Sequence, residues 1–363
     1  MAQTGPAAPS RSVGIDLARG LAVVLMIQTH AFDGWAAPQA KAGWGYALSR
    51  AFANIPAPLF LLLAGVGLSL AMSAAHKRGV PTAAARKSLA GRGLQVVGYG
   101  YLVSLIYVVI EGTWGSAAVS ALLRADILHC IGLSMLVCTF LLLGRTHLAL
   151  RAAGLATFAI LAAVALGRWV SPPTGWLAVP AALLFDVAPY TRFPLLPLCG
   201  FTAVGVAIGD WLQRRPPSLR LSVFLSALLV AMVPLWQHLT VITVAALGGR
   251  LSRSHPAVAW NFLEGCTRAL AVLLVGLAVA QLGAWRSATR LTTWLVRLGR
   301  GSLLAYAVHI PLCYGRLARP IAHRLDMPLA TVLVLALIAF TYAVIWVRDR
   351  ARGAASARSQ PAR

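Results

Sequence analysis

Ten apolar stretches, each of about 17–22 residues, follow one another along the chain at roughly 14–32, 52–73, 94–111, 127–144, 152–170, 194–212, 221–240, 266–285, 301–318 and 329–347. At 1.5 Å rise per residue, a stretch of that length crosses a hydrocarbon layer about 30 Å thick as a helix. The pattern predicts an all-α, polytopic membrane bundle of about ten transmembrane helices. The seventh stretch is the softest, because apolarity runs on through Val241–Leu247 and leaves a longer helix or a re-entrant piece at 241–264 open. Composition agrees: 59% of residues are hydrophobic and 11% charged, where soluble domains carry roughly 25% charged residues.

Orientation follows from the basic residues. With the N-terminus in the cytoplasm, the inner segments and tail hold 21 of the 32 lysines and arginines. The positive-inside rule then gives N-in and C-in. Trp35, Trp44, Trp114, Trp169, Trp176, Trp236 and Trp260 fall near outer ends, and Trp211, Trp285, Trp294 and Trp346 near inner ends, as interfacial belts require. The 1–12 and 349–363 tails are rich in Ala, Pro, Ser and Arg and are expected to be disordered, leaving one membrane domain over 13–348.

The first stretch is not uniformly apolar. Asp16, Arg19, Val23, Met26 and His30 return to one face at helical spacing. Lipid would expel the ionisable members, so the face must meet protein or a water-filled cavity, and residues so placed are functional candidates. Arg19 and His30 lie about 16 Å apart along such a helix, roughly half the hydrocarbon thickness. A charged entrance at one membrane face and a titratable group deep inside outline a reaction path.

Several classes are excluded or disfavoured. The net charge of +23 sits in short inter-span loops, so anionic lipid headgroups and topology account for it rather than nucleic acid. Cys130, Cys138, Cys199, Cys266 and Cys313 show neither CxxC nor ligand spacing, which argues for buried small hydrophobes and against a metal site. There is no G-x-x-x-x-G-K-[ST] and no H-E-x-x-H. Asp16 and Arg19 in the first apolar stretch also argue against a cleavable signal peptide. Gly65-Val-Gly67 and Gly205-xxx-Gly209 read as close helix packing. No acid falls at an expected midplane; the deep titratable groups are histidines.

Four stretches carry a resemblance. They are Arg11-x4-Asp16-x2-Arg19-Gly20-x5-Met26-x3-His30; Pro58-Leu-Phe-Leu-Leu-Leu-Ala-Gly65-Val-Gly67; Phe193-Pro-Leu-Leu-Pro197; and Gly299-Arg-Gly-Ser302-Leu-Leu-Ala-Tyr306-Ala-Val-His309-Ile-Pro311. Arg124-Ala-Asp126-Ile-Leu-His129 is a weaker fifth. Together they resemble the heparan-alpha-glucosaminide N-acetyltransferase-like membrane proteins and the related acyltransferases that decorate bacterial surface glycans. The resemblance implies an acyltransferase of the bacterial inner (cytoplasmic) membrane. It would move an acyl group, typically acetyl, from cytoplasmic acetyl-CoA or another acyl-CoA to a sugar amine or hydroxyl of a surface glycan on the far side. It also implies a catalytic histidine towards the outer end of the first helix. Lysosomal members carry asparagine at the position of His30 and their active histidine eleven residues later, where this chain has Lys41. Bacterial acyltransferases carry histidine at the His30 position, so His30 is the better match and heparan sulfate itself an unsuitable acceptor.

The site residues follow, each beside its structural alternative. His30 is the catalytic base, or the group that takes the acyl chain, against a hydrogen-bonded packing histidine. Asp33 either orients that ring or simply ends the helix before Gly34. His309 shares a polar stripe with Ser302, Tyr306, Cys313 and Arg316, which lines a cavity or pairs across a helix interface. Asp16 and Arg19, with Arg92 and Arg300, are candidates for holding acyl-CoA phosphates; simple ion pairing and interfacial anchoring are the rival. Arg11, Arg86 and Arg297 are weaker phosphate candidates. Arg124, Asp126, His129 and Tyr306 are candidates for the acceptor. No metal is expected, membrane lipids are partners, and a homodimer is left open. The rival class is a transporter or flippase for a small molecule or glycolipid that uses the same cavity without acyl transfer.

Overall fold

The computed structural model describes residues 13–169, 178–184, 192–248, 256–282 and 290–358. Expectations for Arg11, Trp176, Trp285, the 1–12 tail, residues 359–363 and the centre of the 241–264 segment lie outside these residues. Within them the chain is helical, with no strand and one isolated bridge. The first helices are α1 (Val13–Trp35), α2 (Pro38–Lys41), α3 (Trp44–Ala53), α4 (Pro56–Lys77), α5 (Thr82–Glu111) and α6 (Ser116–Leu122). Then come α7 (Ile127–Leu141), α8 (Leu148–Trp169), α9 (Ala178–Leu184), α10 (Leu195–Arg214) and α11 (Leu219–Leu247). The last are α12 (Val258–Gln281), α13 (Arg290–Arg300), α14 (Ser302–Cys313) and α15 (Met327–Arg358).

Eight of the described helices are long and apolar enough to cross a membrane. The fourth and ninth expected spans correspond to α7, of 15 residues, and α14, of 12. At 1.5 Å per residue neither reaches across the hydrocarbon alone. Other differences lie at the boundaries. α5 begins at Thr82, so much of the expected basic loop Lys77–Arg92 is helix. The expected outer loop 33–50 contains α2 and most of α3. α11 continues through Leu247, taking up the apolar extension of the seventh stretch. α15 runs to Arg358 where disorder was expected from 349, because Ala and Arg favour helix once it is nucleated.

The chain separates into two compact units, residues 57–274 and residues 12–56 with 275–363. In the first, α4 and α10 meet backbone to backbone. A Cβ on Gly65 would come within 2.0 Å of the Thr202 carbonyl oxygen, and one on Gly205 within 2.0 Å of that of Leu62. The close packing expected at Gly65 and Gly205 is therefore real, whereas Gly67, read the same way, meets nothing within 4 Å. Around this contact Leu68, Met72, Leu89, Cys138, Leu142 and Val206 form a buried core. Much of the rest is apolar and outward-facing: Phe224, Val230 and Val241 on α11 are each more than half exposed. Leaving such side chains in water costs about 2 kcal/mol apiece, which a lipid surround removes.

The second unit is built on α1, whose Ala18, Ala22, Val23, Ile27 and Ala31 are almost fully buried. α3, α13, α14 and α15 pack on it. A Cβ on Gly20 would lie 2.0 Å from the Leu295 carbonyl oxygen, and one on Gly299 2.1 Å from that of Asp16. At the far end a Cβ on Gly34 would lie 2.2 Å from the Cys313 carbonyl oxygen, and Trp35 Nε1 donates to the Leu312 carbonyl at 3.1 Å. The segment after α14 is tied to the same end: the backbone N–H groups of His323 and Leu325 donate to the carbonyls of Gly34 and Trp35. α1 is thus clasped at both ends by glycine contacts, which fixes what its polar face meets.

Candidate functional site

The clasp at Gly20 and Gly299 creates one end of the site. Asp16 is 1% exposed, and its carboxylate accepts from Arg300 Nε at 2.9 Å, with Arg19 Nη1 at 3.6 Å. A buried carboxylate needs such partners, since an unpaired charge in a low-dielectric interior is costly. The Arg300 side chain remains about half exposed, so its guanidinium has edges left to bind an anion. One helical turn back on α13, Arg297 donates to the Tyr342 hydroxyl at 2.8 Å and approaches Asp349 at 3.8 Å. Three arginines therefore gather with two carboxylates at one end of this unit. Arg92 and Arg86 belong to the other unit, on α5, where Arg86 donates to the Leu143 carbonyl from Nε at 3.0 Å and from Nη2.

The clasp at Gly34 creates the other end. His30 Nδ1 and His309 Nε2 are 2.8 Å apart. The rings are within 1° of parallel with centroids 5.1 Å apart. A nitrogen-to-nitrogen hydrogen bond between coplanar, edge-to-edge rings gives that spacing; a face-to-face stack would not bring the two nitrogens so close. His309 is fully buried, and its Nδ1 lies 2.8 Å from the Ala305 carbonyl oxygen one turn back on α14. Tyr306, also buried, stands edge-on to His309 at 5.7 Å, and the Tyr314 ring is tilted against His30 at the same distance.

Asp33 was expected either to orient His30 or to end the helix before Gly34, and α1 runs on to Trp35. His30 Nδ1 is instead engaged by His309, and the Asp33 carboxylate accepts from the Tyr314 hydroxyl at 3.1 Å and faces Tyr46 at 3.5 Å. Lys41 Nζ donates to the Asp33 backbone carbonyl at 2.6 Å and stands 3.9 Å from its carboxylate. The polar group at the C-terminal end of α1 is therefore larger than the sequence suggested. Tyr46 and Tyr314 were missed, although Tyr314 stands between Cys313 and Arg316 of the expected polar stripe, because only the fold brings them to Asp33.

The acceptor candidates divide. Tyr306 joins the histidine pair, whereas Arg124, Asp126 and His129 lie in the other unit, at the start of α7. Asp126 caps that helix, accepting from the Ile127 N–H at 2.7 Å, while His129 Nδ1 accepts from the Asp126 backbone N–H at 3.2 Å. This reciprocal capping satisfies backbone donors that a helix start leaves orphaned. His129 is 1% exposed and packs edge-on against Tyr101 at 4.3 Å, with its Nε2 buried and without a hydrogen-bond partner at that atom among the described residues.

A buried ion pair was also missed. Glu264 lies in the second turn of α12, 2.7 Å from Arg268 Nη2 and accepting from Gln237 Nε2 at 3.1 Å. Arg268 stands near the middle of that helix. The i, i+4 spacing of opposite charges in an apolar run was the available signal.

Among the described residues no cluster of histidine, cysteine and carboxylate side chains could hold a metal ion. The two ends of α1 instead suit a polyanion at one and proton transfer at the other. The catalytic domain described as heparan-alpha-glucosaminide N-acetyltransferase matches residues 11–245, which takes in α1 with Asp16, Arg19 and His30. His309, Tyr306 and Arg300 lie beyond the matched stretch. No curated protein matches the chain. With more than half its length matched, including the helix that carries the polar stripe, the chain belongs to the heparan-alpha-glucosaminide N-acetyltransferase catalytic family.

Proposed function

We propose that this membrane protein transfers an acyl group, with acetyl the first choice, from a cytoplasmic acyl-CoA to an amine or hydroxyl of a sugar on the outer side. The observation that carries the proposal is the hydrogen-bonded pair of partly buried His30 on α1 and buried His309 on α14, with Asp16 and Arg19 at the other end of α1 and Arg300 of α13 paired to Asp16 there. The arginines suit the phosphates of CoA, because a planar guanidinium fork matches phosphate oxygens. The excess of basic residues on the assigned inner loops supports that side as the donor's. His30 is the general base, and a site closed to water protects the thioester from hydrolysis.

The test is to reconstitute the purified protein in vesicles and supply acetyl-labelled acetyl-CoA with cell-envelope glycans, comparing wild type with His30→Ala. Label entering a glycan only with wild type supports the reading. Movement of a sugar or glycolipid across the membrane without labelling would favour transport instead.

A further inference from the structure

The hydrogen bonds around His309 fix which nitrogen of His30 does chemistry. The Ala305 carbonyl oxygen can only accept, so His309 Nδ1, 2.8 Å away, carries a hydrogen. A neutral imidazole has one N–H, so His309 Nε2 presents a lone pair. His30 Nδ1, 2.8 Å from that lone pair, must then be the donor. His30 in turn has its own lone pair at Nε2. The alternatives carry a positive charge on the pair: a charged His309 donating to His30 Nδ1, or a charged His30 donating to His309 Nε2, and either places hydrogen on His30 Nε2 and leaves no base there.

We infer that His309 is a positioning residue: held by the Ala305 carbonyl, it locks His30 in the Nδ1–H tautomer and makes Nε2 the reactive atom. The inference rests on the acyl-transfer reading for its consequence, not for its geometry. In direct transfer, the acceptor's O–H or N–H proton passes to His30 Nε2 as the acceptor oxygen or nitrogen bonds to the acyl carbon. The carbon–sulfur bond of the thioester then breaks, and the departing thiolate takes the proton back from Nε2. Throughout, the Nδ1–H of His30 keeps its bond to His309, a neutral acceptor in the place where other histidine bases use a carboxylate. Coplanarity within 1° aligns that bond, and the Tyr306 and Tyr314 rings pack against the two imidazoles.

The tautomer can be read without substrate. Protein labelled with 15N-histidine, compared with His30→Gln to assign the His30 signals, should show Nδ1 protonated and Nε2 bare at neutral pH. In His309→Leu the His30 signals should relax towards the mixed tautomers of free imidazole. In His309→Gln they should stay, because the glutamine Oε1 falls near the position of Nε2 and still accepts. Transfer should track them, falling about a hundredfold in His309→Leu and less than about tenfold in His309→Gln, within the range expected for a misoriented general base. Protonated Nε2 in the wild type would overturn the inference. So would equal losses in the two variants with the His30 signals unmoved. A protein that holds the tautomer yet labels no glycan would uphold the positioning role and discard acyl transfer alone.

Discussion

Asp16 and Arg300, 284 residues apart, meet at 2.9 Å because Gly299 lets the backbone of α13 rest on the Asp16 carbonyl. The carboxylate holds two arginines, so its loss should be felt through them. Asp16→Asn is expected to weaken acyl-CoA binding by about tenfold while leaving the rate at saturating donor within a few-fold, since phosphate contacts act on ground and transition states alike. Arg300→Lys should fall between wild type and Arg300→Ala, a point charge being a poorer match than a fork. Titration calorimetry with CoA in detergent measures both. Unchanged CoA affinity in both Asp16→Asn and Arg300→Ala would leave the pair a purely structural one.

The glycine clasp predicts opposite signs for one kind of substitution. Gly299→Ala would put a Cβ 2.1 Å from a backbone oxygen, which no side-chain motion can relieve. The helices must move apart, at a cost of about 1–3 kcal/mol. Gly67→Ala, in α4, meets nothing within 4 Å and should stabilise its helix by up to about 1 kcal/mol. Thermal melts of the two variants in detergent, followed by loss of the monodisperse peak, should shift in opposite directions.

What the sequence revealed depended on range. The stripe from Asp16 to His30 was legible because one helix generates it by periodicity alone. The α4–α10 contact was legible because small residues in apolar helices have few other uses. His309 was nominated from its own helix, but its bond to His30 joins residues 279 apart in sequence, and no local pattern encodes that pairing. Asp33 shows the same limit: its carboxylate partners Tyr314 and Tyr46 come from other elements, and no local pattern points to them. The short α7 and α14 were read as full spans because composition does not mark where a helix stops, and each expected stretch ran past the helix end, to 144 and 318.

Glu264 and Arg268 offer a test within the other unit. Glu264→Ala leaves the guanidinium buried without that carboxylate, and a broken buried pair costs about 3–5 kcal/mol. The double variant Glu264→Leu with Arg268→Met removes both charges and fills similar volume, so much of the loss should be recovered. A double variant no more stable than Glu264→Ala would show that Arg268 has a further role in holding this unit together.

The last expectation concerns His30 itself. As the general base it should be needed for transfer and dispensable for folding, because it is only partly buried and the Gly34, Trp35 and Leu325 contacts hold the same end of α1 without it. His30→Ala is expected to lower transfer by at least about a hundredfold, with a melting temperature within a few degrees of wild type. Adding imidazole to His30→Ala should recover part of the rate, since the truncation opens space beside His309 for a small base in the lost ring's place. Recovery that rises with imidazole concentration and is absent in His30→Phe, where the space is filled, would place the proton transfer at this position. If His30→Ala instead keeps more than about a tenth of the wild-type rate, too much for the loss of a general base, the base must be sought at another residue.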